Sequence, residues 1–165
     1  MPMNEQSITI RRITPEDAPW ILLFMTKEWG SDIMVTKGKV HHAADCNGLI
    51  ALDKNVPVGL LLYVTEDKTI EIISLNAITK QKGIGTALLQ KLEEVARNSG
   101  ATKIWVITTN DNLDAMRFYQ KRGFMLSSIY PNAIAKSHAV KPQIPLCGDY
   151  GIPLRDEIEL SKKVE

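Results

Sequence analysis

The sequence predicts an α/β protein in which a mixed β-sheet carries helices on its faces. Segments rich in β-branched residues alternate along the chain with segments of helical periodicity, the order expected when helices cover a sheet. A length of 165 residues suits one domain, so we expect a single domain over residues 1–165. Hydrophobic residues make up 44% of the chain and charged residues 24%, which is typical of a globular protein with a core.

The first half of the chain predicts one helix and four strands. Ser7–Arg12 alternates as a strand, and Thr14-Pro15-Glu16 has the residue types of a helix N-terminus, which predicts a helix to about Lys27. Ser31–Asn47 is ambiguous between a loop and a second short helix. A turn at Asp53–Asn55 separates two of the later strands. The three later strands are Leu49–Leu52, Val58–Val64 and Thr69–Ile78.

The next part of the chain alternates between helices and strands. Apolar residues recur at helical spacing over Ile84–Ala96, and Asn98-Ser99-Gly100 ends that helix. Lys103–Thr108 is the next predicted strand. Asn112 is a good N-cap for a helix that runs to about Arg122.

The last part of the chain predicts two strands separated by a long proline-punctuated segment. The strands are Met125–Tyr130 and Asp156–Lys162. We predict that Pro131–Pro153 is a long loop with a helical turn near Ala133–Ser137. Loops of this length are uncommon in compact domains, so we expect this one to have a functional role.

The composition excludes several classes of function. The 20 Lys and Arg residues and 19 Asp and Glu residues leave a net charge of +1, whereas a nucleic-acid-binding protein needs a basic field. No apolar run approaches the ~20 residues that span a bilayer, and the N-terminal segment is too polar for a signal peptide. Cys46 and Cys147 lack neighbouring metal ligands. We therefore expect a cytoplasmic protein with reduced thiols, no metal, and no nucleic-acid or membrane partner.

The turn after the strand Thr69–Ile78 has the features of a phosphate-binding site. Gly83 and Gly85 open an amphipathic helix, and glycine allows the backbone to approach a ligand closely. The free N–H groups of a helix N-terminus attract an anion, and lysines in the turn add positive charge. The segment matches no P-loop, and a dinucleotide-binding motif fails at Leu88, where a small residue is required. From the spacing alone, a plain glycine turn remains the alternative.

A second motif lies on the following predicted helix. Asn112, Ala115 and Tyr119 share one stripe of that helix, which closes at Gly123-Phe124. Taken alone, these residues also suit a helix cap and a core aromatic. Together the two motifs resemble the GNAT superfamily of N-acetyltransferases, which carries Q/R-x-x-G-x-G/A after its fourth strand and then N-x-x-A-x-x-x-Y. Lys80 departs from this pattern, because Gln or Arg is usual at its position.

The resemblance implies the GNAT fold: a central, mostly antiparallel, twisted sheet of about seven strands, flanked by about four helices. It also implies a V-shaped split between the fourth and fifth strands that receives acetyl-CoA, the co-substrate. In the family the cofactor pairs with the strand backbone, and a backbone N–H near Ala77 or Ile78 would stabilise the oxyanion. The residues implied to bind acetyl-CoA are Asn76, Ala77, Ile78, Lys80, Gln81, Lys82, Gly83, Ile84, Gly85, Thr86, Asn112, Ala115 and Tyr119.

The implied reaction is direct attack of a neutral amine on the thioester through a tetrahedral intermediate. Tyr119 would protonate the departing thiolate as the general acid. Glu71 is the candidate base, because related enzymes often place a glutamate on this strand, and the alternative is a structural or solvent-facing acid. Strict alternation puts Glu71 on the face of Ile73 and Leu75, opposite Ser74. The histidines, which we expect at the surface, are His41, His42 and His138.

The acceptor side of the family is built from the end of the first helix and the late loop. Glu28 and Asp32 are candidate partners for a cationic amine, and Trp29 and Tyr150 are candidate cation–π surfaces, although such residues are also typical of helix ends and loops. The hypothesis is an acetyl-CoA-dependent N-acetyltransferase for a primary amine of a small molecule or peptide, and the resemblance allows a homodimer. The alternative is a catalytically silent acyl-CoA-binding module used for sensing or regulation.

Overall fold

The computed structural model describes residues 8–78 and 83–165. The nine strands in these ranges are β1 (Ile8–Arg12), β2 (Ile33–Thr36), β3 (Lys39–His42), β4 (Asn47–Asp53), β5 (Val56–Glu66), β6 (Thr69–Ala77), β7 (Lys103–Thr109), β8 (Met125–Tyr130) and β9 (Glu157–Lys163). The α-helices are α1 (Ala18–Trp29), α2 (Ile84–Ser99), α3 (Leu113–Lys121) and α4 (Ala133–Val140). None of the helices in the described ranges is long and apolar enough to cross a membrane.

Seven strands form one mixed sheet in the order β1-β4-β5-β6-β7-β9-β8. Its neighbouring strands are antiparallel except for β6 and β7, which are parallel. The β6–β7 pairing runs only from Thr69 opposite Lys103 to Ile72 opposite Val106. Beyond that point the two strands separate, which confirms the predicted V-shaped split in a mostly antiparallel sheet.

Helices cover both faces of this sheet. The amphipathic face of α2 buries Leu88, Leu92 and Ala96 in a core that also includes residues of α3. A Cβ at Gly59 of β5 would lie 2.6 Å from the Ile84 side chain, so glycine is what lets α2 pack this closely. The opposite face packs against α1 through a second core that includes Met25. The two cores lie on opposite sides of the strands that form the V.

The segment between α1 and β4, which the sequence leaves ambiguous, forms a two-stranded hairpin followed by a short 3-10 helix at Ala43–Asp45. β2 and β3 pair from Ile33 opposite His42 to Thr36 opposite Lys39. The turn residues Lys37 and Gly38 have φ angles of 51° and 74°, and positive φ at both positions suits a tight two-residue hairpin. The strands form here because the β-branched residues before this turn favour extended backbone.

The long segment after β8 is more ordered than the predicted loop. It begins with α4, which extends the expected helical turn to eight residues. The end of this segment is held by the Asn110 side chain. Asn110 donates to the Pro153 carbonyl at 2.9 Å and accepts from the N–H groups of Arg155 and Asp156 at 3.0 Å each. A neighbouring carboxylate, Asp111, accepts the Asp149 N–H at 2.9 Å. These contacts join residues distant in sequence, so local patterns could not predict them.

Candidate active site

A cleft of about 670 Å³ opens where β6 and β7 separate. Its walls come from both strands, the end of α1, the start of α3, α4 and the segment before β9. The cleft brings together side chains that the sequence analysis assigned to different roles. They are Glu28 and Trp29 on the expected acceptor side, and Asn112, Ala115 and Tyr119 on the expected cofactor side.

A β-bulge shapes the β6 wall of the cleft. Ile72 and Ser74 pair with consecutive residues of β5, which leaves Ile73 as an extra residue. A bulge of this kind disrupts the regular alternation of side chains. Glu71 and Ser74 therefore share the face that packs against α1 and the β2–β3 hairpin, and Leu75 packs into the opposite core. The expectation that Glu71 lies with Leu75 and opposite Ser74 was wrong for this reason.

The backbone of β6 beyond the bulge has one edge facing the cleft. The Ile78 N–H donates to the Val58 carbonyl at 2.8 Å, so this group is already used on the β5 side. Hydrogen-bonded and non-hydrogen-bonded positions alternate along an antiparallel pair, so Asn76 also turns its backbone groups towards β5. Leu75 and Ala77 then direct theirs towards the cleft. The Ile78 N–H is therefore already used, whereas the backbone groups of Leu75 and Ala77 are directed away from β5. Leu75 was not singled out from the sequence.

The first turn of α2 has backbone N–H groups for which the helix itself provides no acceptor. Gly83 is its N-cap with φ of 98°, and it makes no side-chain capping hydrogen bond. The N–H groups of Ile84, Gly85 and Thr86 fall in the first turn, where the helix itself provides no acceptor. A Cβ at Gly85 would lie 3.3 Å from the Phe118 ring, so α2 begins directly beside α3. The predicted ligands Lys80, Gln81 and Lys82 lie outside the described residues.

Arg122 is a neighbour of this turn that the sequence analysis did not single out. Its Nε donates to the Thr86 hydroxyl at 2.9 Å, and its guanidinium carbon lies 3.8 Å from the centre of the Phe118 ring. Arg122 also donates to the Phe118 carbonyl at 2.8 Å. The residue therefore fixes the end of α3 against the start of α2 and places a permanent positive charge beside the helix N-terminus.

Asn112 has the capping role that its residue type predicts. Its Oδ1 accepts a hydrogen bond from the Ala115 N–H at 3.0 Å, which caps α3. The carbonyl side of the amide is thereby occupied, and the NH₂ group remains as a possible donor towards the cleft that Asn112 lines. Capping and cofactor binding are thus compatible at this residue.

Tyr119 is held rigidly at the wall of the cleft. Its side chain is 5% exposed and packs edge-on against Phe118 and Phe124, each with ring centres 5.2 Å apart. Burial raises the pKa of the Tyr119 phenol above its ordinary value. The phenol therefore keeps its proton at neutral pH, which is the state a proton donor requires.

Glu71 is buried within a polar cluster beneath the β2–β3 hairpin. Its side chain is 4% exposed, the Thr36 hydroxyl donates to Oε1 at 3.1 Å, and Nε2 of His41 lies 3.3 Å from the same oxygen. His41 is 7% exposed, so the expectation that it lies at the surface was wrong. The hairpin buries it, and nothing in the local sequence indicates that contact. His42, the next residue, is exposed as expected.

A second buried carboxylate, Glu157, lines the cleft itself and was missed from the sequence. It accepts hydrogen bonds from the Lys37 N–H at 3.1 Å and from the Ser137 hydroxyl at 3.3 Å. Burial raises the pKa of this carboxyl, although those two hydrogen bonds oppose the shift. Glu157 thereby ties the hairpin and α4 to the start of β9.

The tip of the β2–β3 hairpin is anchored by the Lys37 side chain. Its ammonium lies 5.3 Å from the centre of the Trp105 ring and 4.8 Å from that of Tyr130, with a Glu159 oxygen at 3.8 Å. The hydrogen bond with Tyr130 and the charge of Glu159 raise the pKa of Lys37. These contacts keep the lysine charged and hold the hairpin over the sheet.

Two of the predicted acceptor-binding residues do not line the cleft. The Tyr150 side chain is 68% exposed, and its hydroxyl donates to the Asp114 carboxylate at 2.7 Å. Asp32 precedes the hairpin, and its carbonyl accepts the Ala43 N–H at 2.9 Å.

Among the described residues there is no group of three or more His, Cys, Asp and Glu side chains placed to hold a metal ion.

The split between two parallel strands and the glycine-opened helix beside it are features that the resemblance to the GNAT superfamily implies. Comparison with known families agrees. The sequence model of the acetyltransferase (GNAT) family matches residues 12–124, and the chain belongs to this family. It is accordingly an acyltransferase, and its sheet and helices are those of the GNAT fold.

Individual proteins are similar to this chain over most of its length. An uncharacterised protein of Bacillus subtilis, YxbD, is 44% identical over 143 residues, which cover 86% of this chain and 90% of the relative. A streptothricin acetyltransferase of Streptomyces lavendulae is 32% identical over 144 residues, covering 81% of this chain and 75% of the relative. The structure of a GNAT acetyltransferase from Elizabethkingia anophelis with acetyl-CoA bound superposes with a TM-score of 0.71 at 22% identity, covering 96% of this chain and 99% of that one.

Proposed function

We propose that this protein transfers the acetyl group of acetyl-CoA directly to a primary amine of a small-molecule acceptor. The observation that carries the proposal is the position of the buried Tyr119 phenol in the wall of a cleft that residues of both the expected cofactor side and the expected acceptor side line. The streptothricin acetyltransferase relative supports a small-molecule acceptor over a peptide. A silent binding module would have no use for a proton donor in this position.

The described residues fit acetyl-CoA. The cleft-facing backbone of Leu75 and Ala77 would pair with its pantetheine arm, and the N–H groups of the first turn of α2 would bind its pyrophosphate. We also propose that Lys80, Gln81 and Lys82, which lie outside the described residues, bind this pyrophosphate. When bound, acetyl-CoA supplies an acetyl group activated as a thioester.

Two side chains and one backbone N–H group then take part in the proposed reaction. Tyr119 gives its proton to the departing sulfur, and the Ala77 N–H donates to the oxygen on which negative charge develops. Glu71 takes the proton that the acceptor ammonium must lose before its nitrogen can attack. The nitrogen loses a second proton as the C–S bond breaks and the amide forms, and this proton returns to the Tyr119 phenolate. Tyr119 belongs to the α3 side of the sheet and Glu71 to the hairpin side, so acid and base act from opposite faces.

The acceptor side of the cleft suits a cation. Glu28 and the buried Glu157 supply negative charge, and the Trp29 indole supplies an aromatic surface, held by its hydrogen bond to Asn76 at 3.3 Å. Asp32 and Tyr150 would contribute only if the acceptor extends beyond the cleft. The unpaired Cys46 and Cys147 support a reducing, cytoplasmic location for the reaction, and the proposal is compatible with a homodimer.

The proposal is tested first by calorimetric titration with acetyl-CoA, with NAD and ATP as controls, and then by CoA release with a panel of primary alkylamines. Saturable binding of acetyl-CoA and amine-dependent CoA release are expected. Binding without release on any amine would indicate the silent acyl-CoA-binding module. A folded protein that does not bind acetyl-CoA would contradict both functions.

Glu71→Gln should reduce kcat by about tenfold, because the small neutral fraction of the amine can still react without a base. The dependence of kcat on pH should also differ between the variant and the wild type, because the variant lacks the group that accepts the amine proton. The measurement is kcat against pH for both proteins. Glu94→Gln, on the exposed surface of α2, is the control for the loss of one negative charge. An unchanged profile in Glu71→Gln would remove Glu71 from this role.

A further inference from the structure

A second cavity lies beside the cleft, and Glu71 opens into this cavity and not into the cleft. It measures about 380 Å³, and its lining includes Glu71, His41 and Trp105. Its rim includes Lys39 and Glu66, which form an ion pair at 3.4 Å and are 62% and 70% exposed, so the cavity communicates with solvent. The proposed base is therefore separated from the amine that it is expected to deprotonate.

Thr36 bridges this separation. Of the described residues, it alone lines both the cleft and the second cavity. Its side chain is buried, and Oγ1 lies 3.1 Å from Oε1 of Glu71 and 3.1 Å from Nε2 of His41. Because the hydroxyl donates to the carboxylate, Oγ1 has its lone pairs left to accept hydrogen bonds, one of them from a group in the cleft. The direction of these hydrogen bonds leads from the cleft towards Glu71.

We propose that Thr36 relays the proton of the acceptor ammonium from the cleft to Glu71, which releases it to water in the second cavity. The inference rests on the proposed function. An N–H bond of the ammonium breaks as a new O–H bond forms at Oγ1 of Thr36, and the original hydroxyl proton of Thr36 moves to Oε1 of Glu71. Thr36 ends as a hydroxyl, the amine becomes neutral, and Glu71 returns to carboxylate by giving the proton to water.

His41 acts in this relay as a positioning residue. With the Thr36 proton directed at Glu71, Nε2 of His41 is the donor to this pair, at 3.1 Å from Oγ1 and 3.3 Å from Oε1. The ring therefore holds the hydroxyl and the carboxylate in line. A purely structural cluster would hold the hairpin equally well, but it would need neither a solvent-connected cavity behind Glu71 nor a hydroxyl shared between two cavities.

The test compares Thr36→Val, which removes the hydroxyl at similar size, with Thr36→Ser, which keeps it. With an alkylamine that the wild type acetylates, Thr36→Val should lower kcat by about tenfold, as Glu71→Gln does, and Thr36→Ser should stay near wild type. The double variant of Thr36→Val and Glu71→Gln should be no slower than either single variant, because both interrupt one path. His41→Gln should lower kcat by a smaller factor, with His42→Gln as the control.

A second amine substrate distinguishes a proton relay through Thr36 from a purely structural role of this residue. With a weakly basic primary amine such as aminoacetonitrile, which is largely neutral at the assay pH, the first deprotonation is unnecessary. The defect of Thr36→Val should then shrink towards wild type. Calorimetric binding of acetyl-CoA should be unchanged in every variant, and thermal unfolding is measured to show that each variant is folded at the assay temperature.

The outcomes distinguish the relay from the proposed function. A Thr36→Val protein as fast as wild type on alkylamines, an equal defect in Thr36→Ser, or a defect of the same size on the weakly basic amine would overturn the relay and leave the acetyltransferase proposal standing. A wild-type protein that binds acetyl-CoA but acetylates none of the amines would overturn the proposed function, and the relay with it.

Discussion

Tyr119→Phe is expected to reduce kcat by about 10³-fold while leaving the affinity for acetyl-CoA within about threefold of wild type. The change removes only the phenolic oxygen, and the ring keeps its edge-on contacts with Phe118 and Phe124. The departing thiolate would then leave without a proton from the protein. Steady-state CoA release gives kcat, and calorimetric titration gives the affinity.

Tyr63→Phe is the matched control, because Tyr63 is also a buried tyrosine of the same core but does not line the cleft. It should leave kcat unchanged. Since burial raises the pKa of Tyr119, the wild-type rate should not decline through loss of this proton until the pH exceeds the ordinary tyrosine pKa. A Tyr119→Phe protein with wild-type kcat would show that another group, or water, supplies the proton.

Replacing Gly83 or Gly85 with valine is expected to weaken acetyl-CoA binding by about 10²-fold or more, since several charge-assisted hydrogen bonds depend on this turn. The reasons differ between the two glycines. Gly83 has φ of 98°, a conformation that a β-branched residue adopts only with strain. At Gly85 a Cβ already lies 3.3 Å from the Phe118 ring, so a larger side chain must displace α2 from α3.

Gly100→Val provides the control for strain alone. Gly100 ends the same helix with φ of 77°, and among the described residues no atom outside its own stretch of chain lies within 4 Å of the position of its Cβ. This variant should lose some thermal stability and keep its affinity for acetyl-CoA. The measurements are calorimetric titrations of the three variants with acetyl-CoA and the unfolding temperature of each variant. Wild-type affinity in folded Gly83→Val and Gly85→Val would show that the first turn of α2 does not bind the pyrophosphate.

The bulge at Ile73 is the feature on which the chemistry of the site depends most. It places Glu71 on the hairpin face and turns Leu75 into the opposite core, and the strand beyond it keeps a free edge beside the cleft. The same strand can therefore carry a base on one face and bind a cofactor through its backbone. A regular strand with strict alternation would place these groups differently.

The sequence by itself determined the class of fold, and it identified the residues from which we propose the cofactor side of the site. Helical periodicity, β-branched segments and turn residues are local signals, so the strands of the main sheet and α1 to α3 were predicted within a few residues of their bounds. Gly83, Asn112 and Tyr119 were identifiable because a helix N-terminus, a cap and a helical stripe depend on residues close in sequence.

Only the tertiary structure showed the bulge in β6 and the surroundings of Glu71. The bulge requires the pairing of β6 with β5, and no residue type in Thr69–Ala77 marks it. Thr36 and Glu71, whose side chains are in contact, lie 35 positions apart in the sequence. Their contact and the burial of His41 depend on a hairpin that pairs with no strand of the main sheet in the described ranges. Such contacts arise from packing between elements, and packing between elements leaves no period in the sequence from which a base, its relay or its route to solvent could be inferred.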